Sequence, residues 1–236
     1  MFGRECYNTR MTLLVLLVEF IALYFFSQWV IKTLFDCFFL LFRSRTVAIT
    51  VLLVLTFPGT VVHELSHLFT AAILGVPTGK LSLEPTNIRE NNIKSGSLMI
   101  AETDPFRRYA IGLAPMIGGI IALTAIVYFL PQNTINWITW VLGYLLFSVS
   151  ISMFSSPADL QGFLPFGITL MVFIGALYYL GLRIALTGTV LSVVDRITTT
   201  LINSLEIVLA INVGLLIVAK LLTTVMQRIF RVKIMR

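Results

Sequence analysis

At 236 residues, 58% hydrophobic and 12% charged, with a mean hydropathy of +0.95, the chain has too little polar surface for a soluble globule. Its net charge of +6 does not mark a nucleic-acid binder, because no basic run is interleaved with aromatics. Basic residues flanking membrane spans and meeting anionic headgroups account for the excess. The reading that follows is an all-α polytopic membrane protein in the lipid bilayer, a single domain over residues 1–236.

Arg4 and Arg10 precede a first apolar run from about Thr12 to Ile31. That run lacks a small-x-small cleavage signal and reads as an uncleaved first span. Cys6 and Cys37 lie on either side of it and face opposite compartments, which excludes a bond between them. Glu19 is a carboxylate inside the span and needs either a partner or a function. Lys32 to Arg45, with Phe35, Phe38, Phe39 and Phe42, is too short to cross alone and reads as an interfacial or re-entrant piece.

The second span, about Thr46 to Leu74, contains Val61-Val62-His63-Glu64-Leu65-Ser66-His67-Leu68-Phe69. On a helix, positions i and i+4 share a face, so His63 and His67 can offer two imidazole nitrogens to one Zn²⁺. Glu64 stands beside them as a base for water. The chain has 2 histidines and both are here. The plainer alternative is a core helix carrying two unrelated imidazoles; buried polar side chains need partners, which a metal supplies. Pro58 removes a backbone donor, and Gly59 lets a neighbouring backbone come close. The apolar flanks put the motif within the membrane thickness.

Gly75 to Arg108 is the one long polar connection. Two alternating stretches, Lys80 to Glu84 and Ser95 to Ala101, are separated by turn chemistry at Pro85-Thr86-Asn87 and Glu90-Asn91-Asn92. A small β-hairpin after the second span is expected within about 76–106. Its open edge is either an ordinary surface or a place for a substrate backbone to add as a strand.

The third span, about Tyr109 to Leu130, carries Gly112-Leu113-Ala114-Pro115-Met116-Ile117-Gly118-Gly119, small residues that let helices approach, with Pro115 loosening a local hydrogen bond. A fourth span runs from about Trp137 to Phe154 and ends in Ser155-Ser156-Pro157-Ala158-Asp159-Leu160-Gln161-Gly162. A fifth covers about Phe166 to Leu186, Arg183 to Thr200 reads as a weakly amphipathic connector, and a sixth covers about Leu201 to Met226. About six spans place both termini on one side. Eleven of the 17 basic residues then fall on that side, which makes it cytoplasmic. The plasma membrane of a prokaryote is the expected location. Spans two and four end on the same side, which puts His67 and Asp159 at compatible depths.

Catalytic zinc has three protein ligands and an exchangeable position. With no third histidine, the remaining ligand is a carboxylate. Asp159 ranks first, because Pro157 and Gly162 break the helix around it and free the backbone to fold back; Glu206 and Glu19 are the alternatives.

His63-Glu64-Leu65-Ser66-His67, then Ala114-Pro115, then Pro157-Ala158-Asp159 occur in that order over about residues 47 to 165. In this the chain resembles the site-2 protease family of intramembrane zinc metalloproteases, as a compact member without a PDZ domain. That family has HExxH in one span, a small-residue and proline stretch in the next, and an LDG-type aspartate in the one after. The resemblance implies zinc on His63, His67 and Asp159, Glu64 as catalytic base, and substrate contacts in the region of Ala114, Pro115, Gly118, Ser156 and Pro157. Two positions depart from the pattern. Gly118 stands where the family often has asparagine, and Leu160-Gln161-Gly162 follows Asp159 where glycine is usual. The expected activity is cleavage of peptide bonds in or near the transmembrane segments of membrane-protein substrates. A silent client-binding scaffold of the same fold is the alternative. A metal or solute transporter is weaker, since neither repeated spans nor a polar pathway is visible.

Overall fold

A computed structural model describes residues 2–82, 97–100, 103–131, 136–154 and 189–230, with positions 172, 176, 179 and 180. The described chain is mostly helical: α1 (Phe2–Phe42), α2 (Arg45–Ile73), α3 (Pro105–Tyr128), α4 (Trp137–Ser152) and α5 (Thr189–Phe230), with strands β1 (Thr78–Ser82) and β2 (Ser97–Ile100) between α2 and α3. Four segments are long and apolar enough to cross a membrane: Leu14–Phe42, Arg45–Ile73, Pro105–Tyr128 and Ser192–Arg228. Outward-facing Phe25, Trp29, Val54, Phe57, Ile117 and Ile121 give these helices the apolar exterior of a membrane protein. α4 is shorter, 16 residues or about 24 Å.

Two expectations are corrected by helix continuity. Lys32 to Phe42 is not a separate interfacial piece, since α1 runs unbroken for 41 residues. Buried Leu23, Ser27, Val30, Thr33, Cys37 and Leu40 keep one stripe at three- and four-residue spacing straight through it. The phenylalanines decorate a helix that was already packed. Likewise residues 189–200 do not form a separate connector, because α5 starts at Thr189 and buried Thr198 belongs to the stripe that continues through Ile202, Leu205 and Val208. The expected fifth span, Phe166 to Leu186, lies outside the described residues except at 172, 176, 179 and 180.

Chain direction brings a further correction. Leu23 packs with Leu205 and Val208, Val30 packs with Leu216, and the Lys220 ammonium sits 5.5 Å from the Trp29 ring centroid. Sequence number rises together along both helices, so α1 and α5 are parallel. The amino end of α1 and the carboxyl end of α5 therefore lie at opposite ends of the bundle. Placing both termini on one side assumed strict alternation over six crossings, which hydropathy counts but cannot orient. Arg228 moves away from the side it was assigned to, and the charge-bias argument for a cytoplasmic face loses its basis.

α2 is the central helix, packed against α1, α3 and α4 and against both strands. It follows α1 after a two-residue turn, with Arg43 in the left-handed region (φ 50) and Ser44 as N-cap. Its buried positions, Ala48, Leu52, Thr56, Gly59, Thr60, His63, His67 and Ala71, form one stripe. Two of the small residues are required by close approach. A Cβ on Gly59 would collide with the Ser148 carbonyl of α4, and one on Gly118 of α3 would collide with the Ser66 hydroxyl. From Leu146 to Phe154 every residue of α4 and its end is buried, so the neighbouring helices enclose it on all sides.

α2 ends in a Schellman motif: Val76 N–H donates to the Ala71 carbonyl (2.9 Å) and Gly75 N–H to Ala72 (3.1 Å), with Gly75 left-handed at φ 66. The motif turns Val76 back to pack with Ala71 and with Ile111 of α3. β1 and β2 pair antiparallel through Thr78–Ile100, Leu81–Leu98 and Ser82–Ser97, with a bulge between Thr78 and Leu81. The expected turn between the strands lies in residues 83–96, outside the described residues. α3 begins at the Asp104 N-cap, which accepts from Arg107 N–H (3.0 Å) and also holds the Arg107 guanidinium at 3.2 Å.

Candidate metal centre

The apolar stripe that buries α2 also buries its motif. His63, Glu64 and His67 are 4%, 4% and 6% exposed, on a segment long enough to cross a membrane. Burial at this level takes two imidazoles and a carboxylate out of water together, which is costly unless each is engaged. A helix places them with no special loop: the one-turn spacing brings the two rings together on one face, and Glu64 follows His63 directly.

Two imidazoles on one zinc, at Zn–N distances near 2.0–2.1 Å and a tetrahedral angle, have ring centroids about 5 Å apart. Those of His63 and His67 are 4.9 Å apart, with the rings nearly perpendicular. The Nδ1 atom of His67 is 2.8 Å from the backbone carbonyl oxygen of Ile111 on α3. A carbonyl can only accept, so Nδ1 carries the proton and donates it. The lone pair is then on Nε2. Metal-binding histidines characteristically anchor the nitrogen remote from the metal in this way.

α3 completes one wall. Ala114 and Pro115 are buried, and Gly118 lies directly against Ser66, inside the motif. Any side chain at 118 would have to displace Ser66, whose hydroxyl donates to the Val62 carbonyl (2.7 Å). Glycine here is therefore a packing requirement of this chain. α4 approaches from the other side: Ser148 Oγ accepts from Gly59 N–H (2.8 Å), and Met153 lies against Gly119. Since Gly118 meets Ser66, the end of α4 stands near the level of the motif.

His63, Glu64 and His67 are thus brought together, with Ala114, Pro115 and Gly118 on the adjoining helix. Ser156, Pro157 and Asp159 lie outside the described residues. Among the described residues no three of His, Cys, Asp and Glu form a group able to hold a metal, so neither Glu19 nor Glu206 joins the two imidazoles. Glu19 is buried on α1, whereas Glu206 is exposed on α5. Ile111 was not anticipated: it acts through its backbone, and an isoleucine in an apolar run carries no side-chain signal of such a role. In comparisons with protein-family models, curated proteins and solved structures, nothing matches the chain.

Proposed function

We propose that the chain is an intramembrane zinc metalloendopeptidase that hydrolyses peptide bonds in or beside the transmembrane segments of other membrane proteins. One observation carries the reading: two imidazoles and a carboxylate are buried on one face of a membrane-length helix, with His67 Nδ1 fixed on the Ile111 carbonyl. In this reading His63 and His67 hold Zn²⁺, and Asp159 adds the third ligand from the segment that follows α4. The support for Asp159 is that α4 ends near the level of the motif and that Glu19 and Glu206 do not join the histidines. α4 is a fifth crossing beside the four longer helices.

When bound, zinc lowers the pKa of water to about 7 and polarises a carbonyl. Glu64 takes the proton of the attacking water as the water oxygen bonds to the scissile carbonyl carbon. It returns that proton to the amine nitrogen as the C–N bond breaks. A substrate helix has its carbonyls already hydrogen-bonded, so it must unwind before it is cut. The antiparallel strands beside the end of α2 offer an edge to the unwound segment.

The test is cleavage of a model transmembrane peptide by the full-length protein in detergent, with zinc measured in parallel. Glu64→Gln is expected to keep zinc and to lose about 10²- to 10⁴-fold in rate. Undiminished cleavage by Glu64→Gln would remove Glu64 as the base. Zinc binding with no cleavage in the wild type would favour a client-binding scaffold, and zinc flux in liposomes a transporter.

A further inference from the structure

Pro115 occupies the interior of α3, fully buried, four residues after Ile111. In an α-helix the N–H of residue i donates to the carbonyl of residue i−4, so the helical donor for the Ile111 carbonyl is residue 115. Proline has no N–H, and its ring also crowds the carbonyl one turn back. The Ile111 carbonyl therefore lacks its intrahelical donor inside an apolar bundle, where leaving an acceptor unmet is costly. That carbonyl is the one 2.8 Å from His67 Nδ1. The surrounding packing keeps the two aligned: Ile111 is 1% exposed and clustered with Ala71 and Val76, the residues of the motif that ends α2.

We infer that Pro115 is a positioning residue for the metal centre: by withholding its N–H it frees the Ile111 carbonyl to take the His67 Nδ1 proton, which sets the tautomer that presents Nε2 to a metal. The inference rests on the zinc reading for its purpose, but the hydrogen bond and its dependence on Pro115 can be measured without metal. It also gives the two helices a division of labour. α2 supplies the imidazoles, and a break in the bonding of α3 fixes the orientation of one of them. A proline kept only to bend α3 would leave the state of His67 unaffected.

The experiment uses the full-length protein labelled with ¹⁵N-histidine, which has only 2 rings to resolve. In metal-free wild type, His67 should show a protonated Nδ1 and an unprotonated Nε2. In Pro115→Ala, which restores an N–H to residue 115, that signature should give way to the ordinary tautomer mixture, in which Nε2 carries the proton more often. Zinc affinity, read by chelator competition, should weaken by about 10- to 100-fold, the usual effect of losing such an outer contact. Placing at 115 the α-hydroxy acid counterpart of alanine, which has no N–H and no ring, should restore both the signature and the affinity. This rescue separates the missing donor from the shape of the ring. An unchanged His67 signature and unchanged zinc affinity in Pro115→Ala would overturn the inference while leaving the zinc reading in place. No zinc binding by the wild type, with the tautomer switching as described, would overturn that reading and leave the hydrogen-bond assignment standing.

Discussion

Two successive turns of α2 bury polar groups on the same face and satisfy them in opposite ways. Around Thr56, Gly59 and Thr60 the solution is local. Thr56 donates to the Leu52 carbonyl (3.0 Å) and Thr60 to the Thr56 carbonyl (3.2 Å), while Ser148 and Ser152 of α4 fill the groove above Gly59. Hydroxyls short enough to reach back one turn need nothing from outside the helix pair. One turn later, His63, Glu64 and His67 have side chains too long and too polar for that solution. His67 reaches another helix for its acceptor. The first region packs helix against helix; the second is the one we propose to hold a metal. Burial alone does not separate them; the kind of group that is buried, hydroxyl or imidazole and carboxyl, does.

The contrast can be broken by substitution. The largest effect should come from the proposed metal ligands. Asp159→Ala and His67→Ala are each expected to lose zinc together with cleavage, at unchanged helix content by circular dichroism. Retention of stoichiometric zinc by Asp159→Ala would mean that another group closes the site. Next comes the first region. Gly59→Ala drives a methyl group into the Ser148 backbone, which cannot rotate away, and should destabilise the bundle by about 1–3 kcal/mol, read by steric-trapping or denaturant unfolding.

Gly118→Ala probes the packing of α3 against the second region, because its methyl would meet the Ser66 side chain. Its cost in stability should be smaller, since a hydroxyl can turn where a backbone cannot. It should shrink again in a Ser66→Ala background, and equal costs in the two backgrounds would show that the contact is not the reason for glycine. The smallest effect is expected between α4 and α5. Asn212 on α5 donates to Ser150 Oγ (2.9 Å) and to the Val208 carbonyl (3.2 Å). In a double-mutant cycle the Asn212–Ser150 coupling should be only about 0.6 kcal/mol, the average for a polar contact between membrane helices, with zinc and cleavage unchanged.

The same contrast explains what the sequence disclosed. The motif was legible because its chemistry is written in side chains at fixed spacing, and the apolar residues around it gave its burial. Gly59 was legible as a close approach, though its partner on α4 was not. The length of α1 was present in the pattern and outweighed by composition: four phenylalanines near Lys32 suggested an interface, while Val30, Thr33, Cys37 and Leu40 were extending a helical stripe. The parallel course of α1 and α5 had no signal, because hydropathy records that a segment crosses and not in which direction. The Ile111 contact was hidden for a different reason. It is made by a backbone atom, and its only trace in the sequence is a proline four residues downstream.

The central claim is that the two imidazoles of α2 hold a metal ion within the membrane bundle. Its most direct test is elemental analysis of the purified full-length protein beside His63→Ala and His67→Ala. About one zinc per chain in the wild type and none in either variant is the result this account requires. A wild type that takes up no zinc, or variants that hold as much as it does, would contradict it.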